Sequence, residues 1–228
     1  MTRSSLCLMR LFLVVAMAFA GGCGEKGGDP LAADPSVDSS ADPHASMDHG
    51  QMDHGSTAGD APLADRSIYQ LEGAWTHPAG GEFQLSQLRG HPVLVVLFYG
   101  TCEHACPILV RNVQQIEAQL DPAGQDDTRF LLVTFDPDVD TPERLVKYAE
   151  KNGLDPASWF LPHGEPHQIR ALALVLGIRY RPSGDGQFSH TTRISLLDRE
   201  GVVAAHVDGL DAPSEPIVTR LKALLGEP

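Results

Sequence analysis

The residues best suited to chemistry in this 228-residue sequence are sulfur and imidazole side chains in three separate places. Cys102 and Cys106 stand in Gly100-Thr101-Cys102-Glu103-His104-Ala105-Cys106-Pro107. Two sulfurs one loop apart can close a disulfide or hold a soft metal. His190 lies far downstream in Phe188-Ser189-His190, and Asp136 in Phe135-Asp136-Pro137. Two thiolates and an imidazole suit copper or zinc, and a carboxylate behind them can orient the ring. The third place is His44, Met47, His49, Met52 and His54, where Met-Asp-His-Gly occurs twice. Thioether with imidazole is a copper set, and in so polar a stretch the site would be weak and exchangeable.

The flanking elements must bring these residues together. Val93-Leu94-Val95-Val96-Leu97-Phe98 has no polar alternation and reads as a strand buried on both faces. After Pro107, the spacing of Leu109, Val113, Ile116 and Leu120 predicts a helix with one inward face. Pro107 is expected at its first position, leaving Cys106 at the helix mouth, where free N–H groups favour thiolate. A second apolar run, Phe130 to Phe135, ends at Asp136. Helices are expected from Pro142, capped by Thr141, to Asn152-Gly153, and from Pro166 to Gly177. A polar loop is expected over 181–187, then strands near 194–197 and 202–207 and a helix over 213–225. Trp75 and Phe83 around Ala79-Gly80-Gly81 read as a hairpin. This is the thioredoxin-type order: an α/β fold, a central mixed sheet flanked by helices, with an N-terminal hairpin extension. Parallel strands place Cys102, Cys106 and Asp136 at one sheet edge. His190 joins them there if the strand after it runs antiparallel. His104 is expected to face solvent, His163 and His167 to sit at helix entries, and His77, His91 and His206 to lie outside any cluster.

The N-terminal part reads differently. Arg3 and Arg10 precede an apolar run ending in Gly21-Gly22-Cys23, a secretory signal over 1–22 of lipoprotein type. Cys23 is then the lipidated residue, anchoring the protein to a bacterial membrane on its periplasmic side. Residues 23–65 carry almost no large apolar side chains and read as a disordered acidic tether, with an end-to-end distance of ~35 Å. Residues 66–228 form the single folded domain. Removing the signal takes Cys7, Arg3 and Arg10 and no acid, so the net charge moves from −13 to −15. That excludes nucleic acid as a partner and suits a basic partner or a cation. Cys102 and Cys106 remain as the free sulfurs of an expected monomer.

Three blocks in series resemble the Sco (SenC) family of copper-handling thioredoxin-fold proteins. They are Cys102-Glu103-His104-Ala105-Cys106-Pro107, Asp136-Pro137 with Asp140-Thr141-Pro142-Glu143, and His190-Thr191 leading to Leu197-Asp198 and Gly201. The resemblance implies metal ligation by Cys102, Cys106 and His190. It also implies a role in assembling the dinuclear CuA centre of cytochrome c oxidase, as copper donor or as reductant of the oxidase cysteines. Glu103 stands where many members have Pro, and the lipoprotein-like start replaces a spanning anchor. Two functions follow: a copper metallochaperone serving the oxidase or another periplasmic cuproprotein, or a thiol-disulfide oxidoreductase with Cys102 and Cys106 as the reacting pair. A peroxidase lacks its expected motif around either cysteine.

Overall fold

The structure is a computed structural model that describes residues 66–226. The signal, Cys23, the tether and its His44, Met47, His49, Met52 and His54 lie outside the described residues.

Five strands make the central sheet, in spatial order β5-β4-β3-β8-β9. Strand β3 (Val93–Phe98) is wholly buried, as its unbroken apolar run requires. It pairs in parallel with β4 (Arg129–Thr134), Val96 facing Leu132, and antiparallel with β8 (Arg193–Leu197), Val96 facing Ile194. The sheet is therefore mixed. Its edges are β5 (Trp159–Phe160), beside β4, and β9 (Val203–Asp208), beside β8. The hairpin β1 (Trp75–Thr76) and β2 (Glu82–Phe83) precedes the sheet and buries Trp75 and Phe83.

Helix α1 (Ala105–Glu117) follows β3 and buries Cys106, Leu109, Val113 and Ile116. A short α2 (Pro122–Asp127) follows, capped by the Asp121 carboxylate, which accepts the Gly124 N–H at 2.7 Å. Helix α3 (Pro142–Asn152) begins at Pro142 as expected and stops at Gly153, whose φ of 64° ends it in the left-handed region. Thr141 precedes it without capping it; its hydroxyl goes instead to the Glu143 carboxylate at 2.8 Å. Helices α4 (Pro166–Val175) and α5 (Glu215–Leu225) complete the fold. No helix among the described residues is long and apolar enough to cross a membrane.

The expected polar loop over 181–187 is instead a hairpin, β6 (Tyr180–Gly184) and β7 (Gln187–His190), a two-stranded sheet of its own. Asp185 and Gly186 form its turn with φ of 54° and 70°, the combination an Asp-Gly hairpin turn uses. This hairpin carries His190.

Candidate metal and redox centre

The strand polarity does what the site needs. β3 and β4 end at the same edge, delivering Cys102 and Asp136 there, and β8 starts at that edge, so His190 arrives three residues before it.

The local build of the cysteine loop differs from expectation in one respect with chemical consequences. The helix starts at Ala105, so Pro107 is its third residue, among the N–H positions that need no partner within the helix. Cys106 therefore lies inside the first turn with its side chain in the core, wholly buried. Cys102 folds back over the helix mouth, where its Sγ accepts the Cys106 N–H at 3.3 Å. The His104 side chain does not cap the helix, so the Cys102 sulfur does.

The two thiols are pulled in opposite directions. Burial acts to raise Cys102, but the Cys106 N–H and thiol, the His104 N–H and the Tyr99 hydroxyl outweigh it, and its pKa falls below the ordinary cysteine value. Burial pushes the Cys106 thiol well up, and the nearby Cys102 and Asp140 push it further. The activated sulfur is thus Cys102, and the expectation that Cys106 would be the thiolate is corrected. Its cause is the helix start two residues early. Both cysteines are free thiols.

Two residues without an expected role organise the loop. Asp140 is 3% exposed; its Oδ2 accepts the Gly100 N–H at 2.8 Å and the Thr134 hydroxyl, tying the turn before Cys102 to the end of β4. Tyr99 joins the two halves of the site. Its hydroxyl acts on Cys102 and donates to Gln187 Oε1 at 2.9 Å, and its ring lies 5.2 Å from Phe188 and 6.2 Å from His190. Asp140 stands within the second block, and Tyr99 directly precedes the cysteine stretch. A Tyr directly after a buried strand was the available signal for Tyr99.

His190 rests with its ring 5.1 Å from Phe135. Its Nδ1 lies 3.1 Å from the Thr191 carbonyl oxygen. A carbonyl only accepts, so Nδ1 is a donor here, and Nε2 is the nitrogen that the neutral ring leaves to accept. Asp136 is half-buried, and burial, then Asp140 and Asp138, raise its carboxyl. The structure brings the two sulfurs together and holds the imidazole at the same edge against aromatic rings. Among the described residues no three His, Cys, Asp or Glu side chains are already grouped to hold a metal ion. The other histidines stand elsewhere. His104 is exposed, His91 pairs with Asp127 at 2.8 Å, His206 faces Asp208 on β9, and His163 bridges to Thr76 rather than entering a helix.

Known proteins give the same reading of the fold. Residues 69–226 match the SCO1/SenC family. A SCO1 protein homolog from Bacillus subtilis is 25% identical over 170 residues, covering 72% of this chain and 88% of that protein. The crystal structure of a SCO1/SenC family lipoprotein from Bacillus anthracis superposes with a TM-score of 0.61 at 25% identity, covering 69% of this chain and 96% of that one. The fold is shared as well with the copper-bound ScoI of Bradyrhizobium japonicum (TM-score 0.53, 23% identity, 66% of this chain and 96% of that one). With the family match spanning more than half the sequence and nearly all of the described domain, the chain belongs to the SCO1/SenC family.

Proposed function

We propose that this protein is a copper carrier whose cargo is held by Cys102, Cys106 and His190 and passed to the CuA site of cytochrome c oxidase. The observation that carries the reading is the pair of reduced sulfurs at the mouth of α1, with a proton-tagged His190 at the same edge offering its free Nε2. Soft thiolates suit Cu(I), and an imidazole extends the set to Cu(II). Cys102 meets the ion first, since it is the more exposed and the more readily deprotonated. Cys106 gives up its proton as the ion's charge replaces it. His190 completes the set when β6 and β7 bring its ring toward the sulfurs, and Asp136 orients the ligands from behind. The chain is exported, lipidated at Cys23 and held to the membrane by the 23–65 tether, whose Met/His repeat gathers copper for the folded domain.

The test is a copper titration of the reduced protein beside His190→Ala, by competition with a chromogenic Cu(I) chelator. Affinity is expected to fall by more than about 100-fold, the upper end of what losing a group behind a ligand costs. Unchanged affinity overturns the ligand set. Deleting residues 44–55 should lower the copper stoichiometry; an unchanged count removes the role of the repeat.

One observation favours a second reading, a thiol-disulfide oxidoreductase. A pair with one lowered and one raised thiol is built as nucleophile and resolving cysteine, Cys102 and Cys106 respectively. His190→Ala leaves that activity intact, so one variant separates the two readings.

A further inference from the structure

The chain carries a net charge of −13, yet three of its cations fall within eight residues of α3: Arg144, Lys147 and Lys151. Two of these are half of the chain's four lysines. All three are exposed, and their spacing places them on one side of the helix. That side borders the cysteine loop. A cavity of about 270 Å³ lies between Arg144, Lys147 and Lys151 and the Gly100–Thr101 turn, and Thr101 is the residue before Cys102.

Among the residues lining the cavity, three are cations and one, Asp140, is an acid. Asp140 also lines the cavity but is buried, its carboxylate occupied by the Gly100 N–H and the Thr134 hydroxyl. Glu143 accepts the Thr141 hydroxyl and is drawn down in part by Lys147, but it does not line the cavity. Glu150 lines a different cavity, with His77 and Trp159. Glu103 is the exposed acid of the cysteine loop itself. None of the three cations is in an ion pair among the described residues, and Arg144 Nη1 is fixed over the preceding turn by the Val139 carbonyl at 3.1 Å. Tyr148, also lining the cavity, has a buried hydroxyl without a partner in the protein. The result is a localised basic face on an acidic molecule, beside its most reactive sulfur.

We propose that this face of α3 is where an acidic loop of a protein partner lands, setting the partner's sulfur against Cys102. The inference rests on Cys102 and Cys106 being the working pair and adds the partner's charge and its side of approach. An acidic partner meets repulsion over the rest of the molecule and attraction here, so encounter and orientation are selected together. When the partner brings a disulfide, the Cys102 thiolate attacks one of its sulfurs, forming a mixed disulfide and releasing the other as thiolate. Cys106 then loses its proton and attacks Cys102 Sγ, closing the Cys102–Cys106 disulfide and freeing the second partner sulfur. Two electrons and the Cys106 proton pass to the partner, and its remaining thiolate takes a proton from solvent.

The probes are two synthetic peptides with the same internal disulfide, one flanked by Glu and one by Lys, reacted with the full reduced chain by stopped flow. The Glu peptide is expected to react at least about tenfold faster at low salt, with the gap closing near 0.5 M salt. Lys147→Glu with Lys151→Glu should reverse the preference, while the rate with neutral 2-hydroxyethyl disulfide stays unchanged. Lys147→Ala with Lys151→Ala, less severe for the fold, should abolish the preference. Equal rates for the two peptides, or a preference indifferent to both double variants, overturn the proposal. Its failure shows in the peptide ratio, whereas failure of the ligand set shows in the copper affinity of His190→Ala.

Discussion

A methyl group on Gly100 tests how the reactive loop is held. An ideal Cβ there would sit 2.5 Å from Asp140 Oδ1 and 3.2 Å from its Cγ, closer than real side chains tolerate. The carboxylate has nowhere to retreat. Its Oδ2 holds the Gly100 N–H at 2.8 Å and the Thr134 hydroxyl, and the Asp140 N–H is bound to the Asp136 carbonyl at 2.9 Å. Gly100→Ala must overpack the site, at ~1–3 kcal/mol, or break a hydrogen bond to a charged acceptor, at ~1.5–3 kcal/mol. A combined cost of roughly 2–4 kcal/mol follows for a partial retreat. For a domain of this size that lowers Tm by about 5–15 °C. Thermal and urea unfolding followed by circular dichroism read the stability, and the rate of Cys102 with a thiol reagent reads the loop. The decisive comparison is a double-mutant cycle with Asp140→Ala, which removes the clashing carboxylate: there the added methyl should cost little. An equal cost in both backgrounds would refute the view that Asp140 clamps the cysteine turn.

The split between the thiols predicts that Cys106→Ser leaves a fast-alkylating Cys102 and Cys102→Ser leaves a Cys106 that reacts only on unfolding, measured with iodoacetamide under native conditions. Tyr99→Phe removes the hydroxyl that helps lower Cys102 and that bonds Gln187, so the alkylation rate of Cys102 at neutral pH should drop. Burial, then Asp140 and Asp138, raise the Asp136 carboxyl; a raised carboxyl opposes folding once it ionises, so Asp136→Asn should unfold at higher denaturant at neutral pH, while weakening copper binding if it orients a ligand. At the opposite edge, Asp127 lies below the usual carboxylate range through its hydrogen bond from Arg199, burial opposing and His91 assisting. A depressed carboxyl stabilises above its unfolded pKa and ceases to do so as pH falls through the folded one. Asp127→Asn should therefore lose stability at neutral pH and show a shallower decline below about pH 4 in urea titrations.

The strand ends were legible in the sequence and the side-chain roles within the loops were not, for physical reasons. Val93 to Phe98 and Phe130 to Thr134 can bury only as inner strands, and that fixes the shared edge of Cys102 and Asp136. His190 reached that edge because β8 is antiparallel to β3, as the expectation required. The hairpin carrying it passed as a loop, since Arg181, Pro182, Ser183 and Asp185 are polar or ring-closed and only the Asp185-Gly186 pair marks the turn. The ranking of the sulfurs depended on a helix start two residues from the one Pro107 suggested, a shift finer than propensity resolves. Asp140 and Tyr99 owe their roles to contacts across β3, β4 and β7, which no local spacing encodes.

A carrier must hold its cargo firmly and still surrender it, and the division of this site between two kinds of element meets both demands under the proposed ligand set. The sulfurs are built into rigid structure: Cys106 in the first turn of α1, Cys102 over its mouth, and the turn between strand and helix clamped by Asp140. Moving either sulfur would break a helix cap or expose a buried thiol. His190 belongs to a hairpin outside the central ladder, joined to it by ring contacts of Tyr99 and Phe135 and by the Tyr99–Gln187 hydrogen bond. Withdrawing that ring costs contacts but no hydrogen bond of the central sheet, so it is the ligand a competing donor displaces first. Transfer then proceeds by exchange at the imidazole position, with the sulfurs let go last.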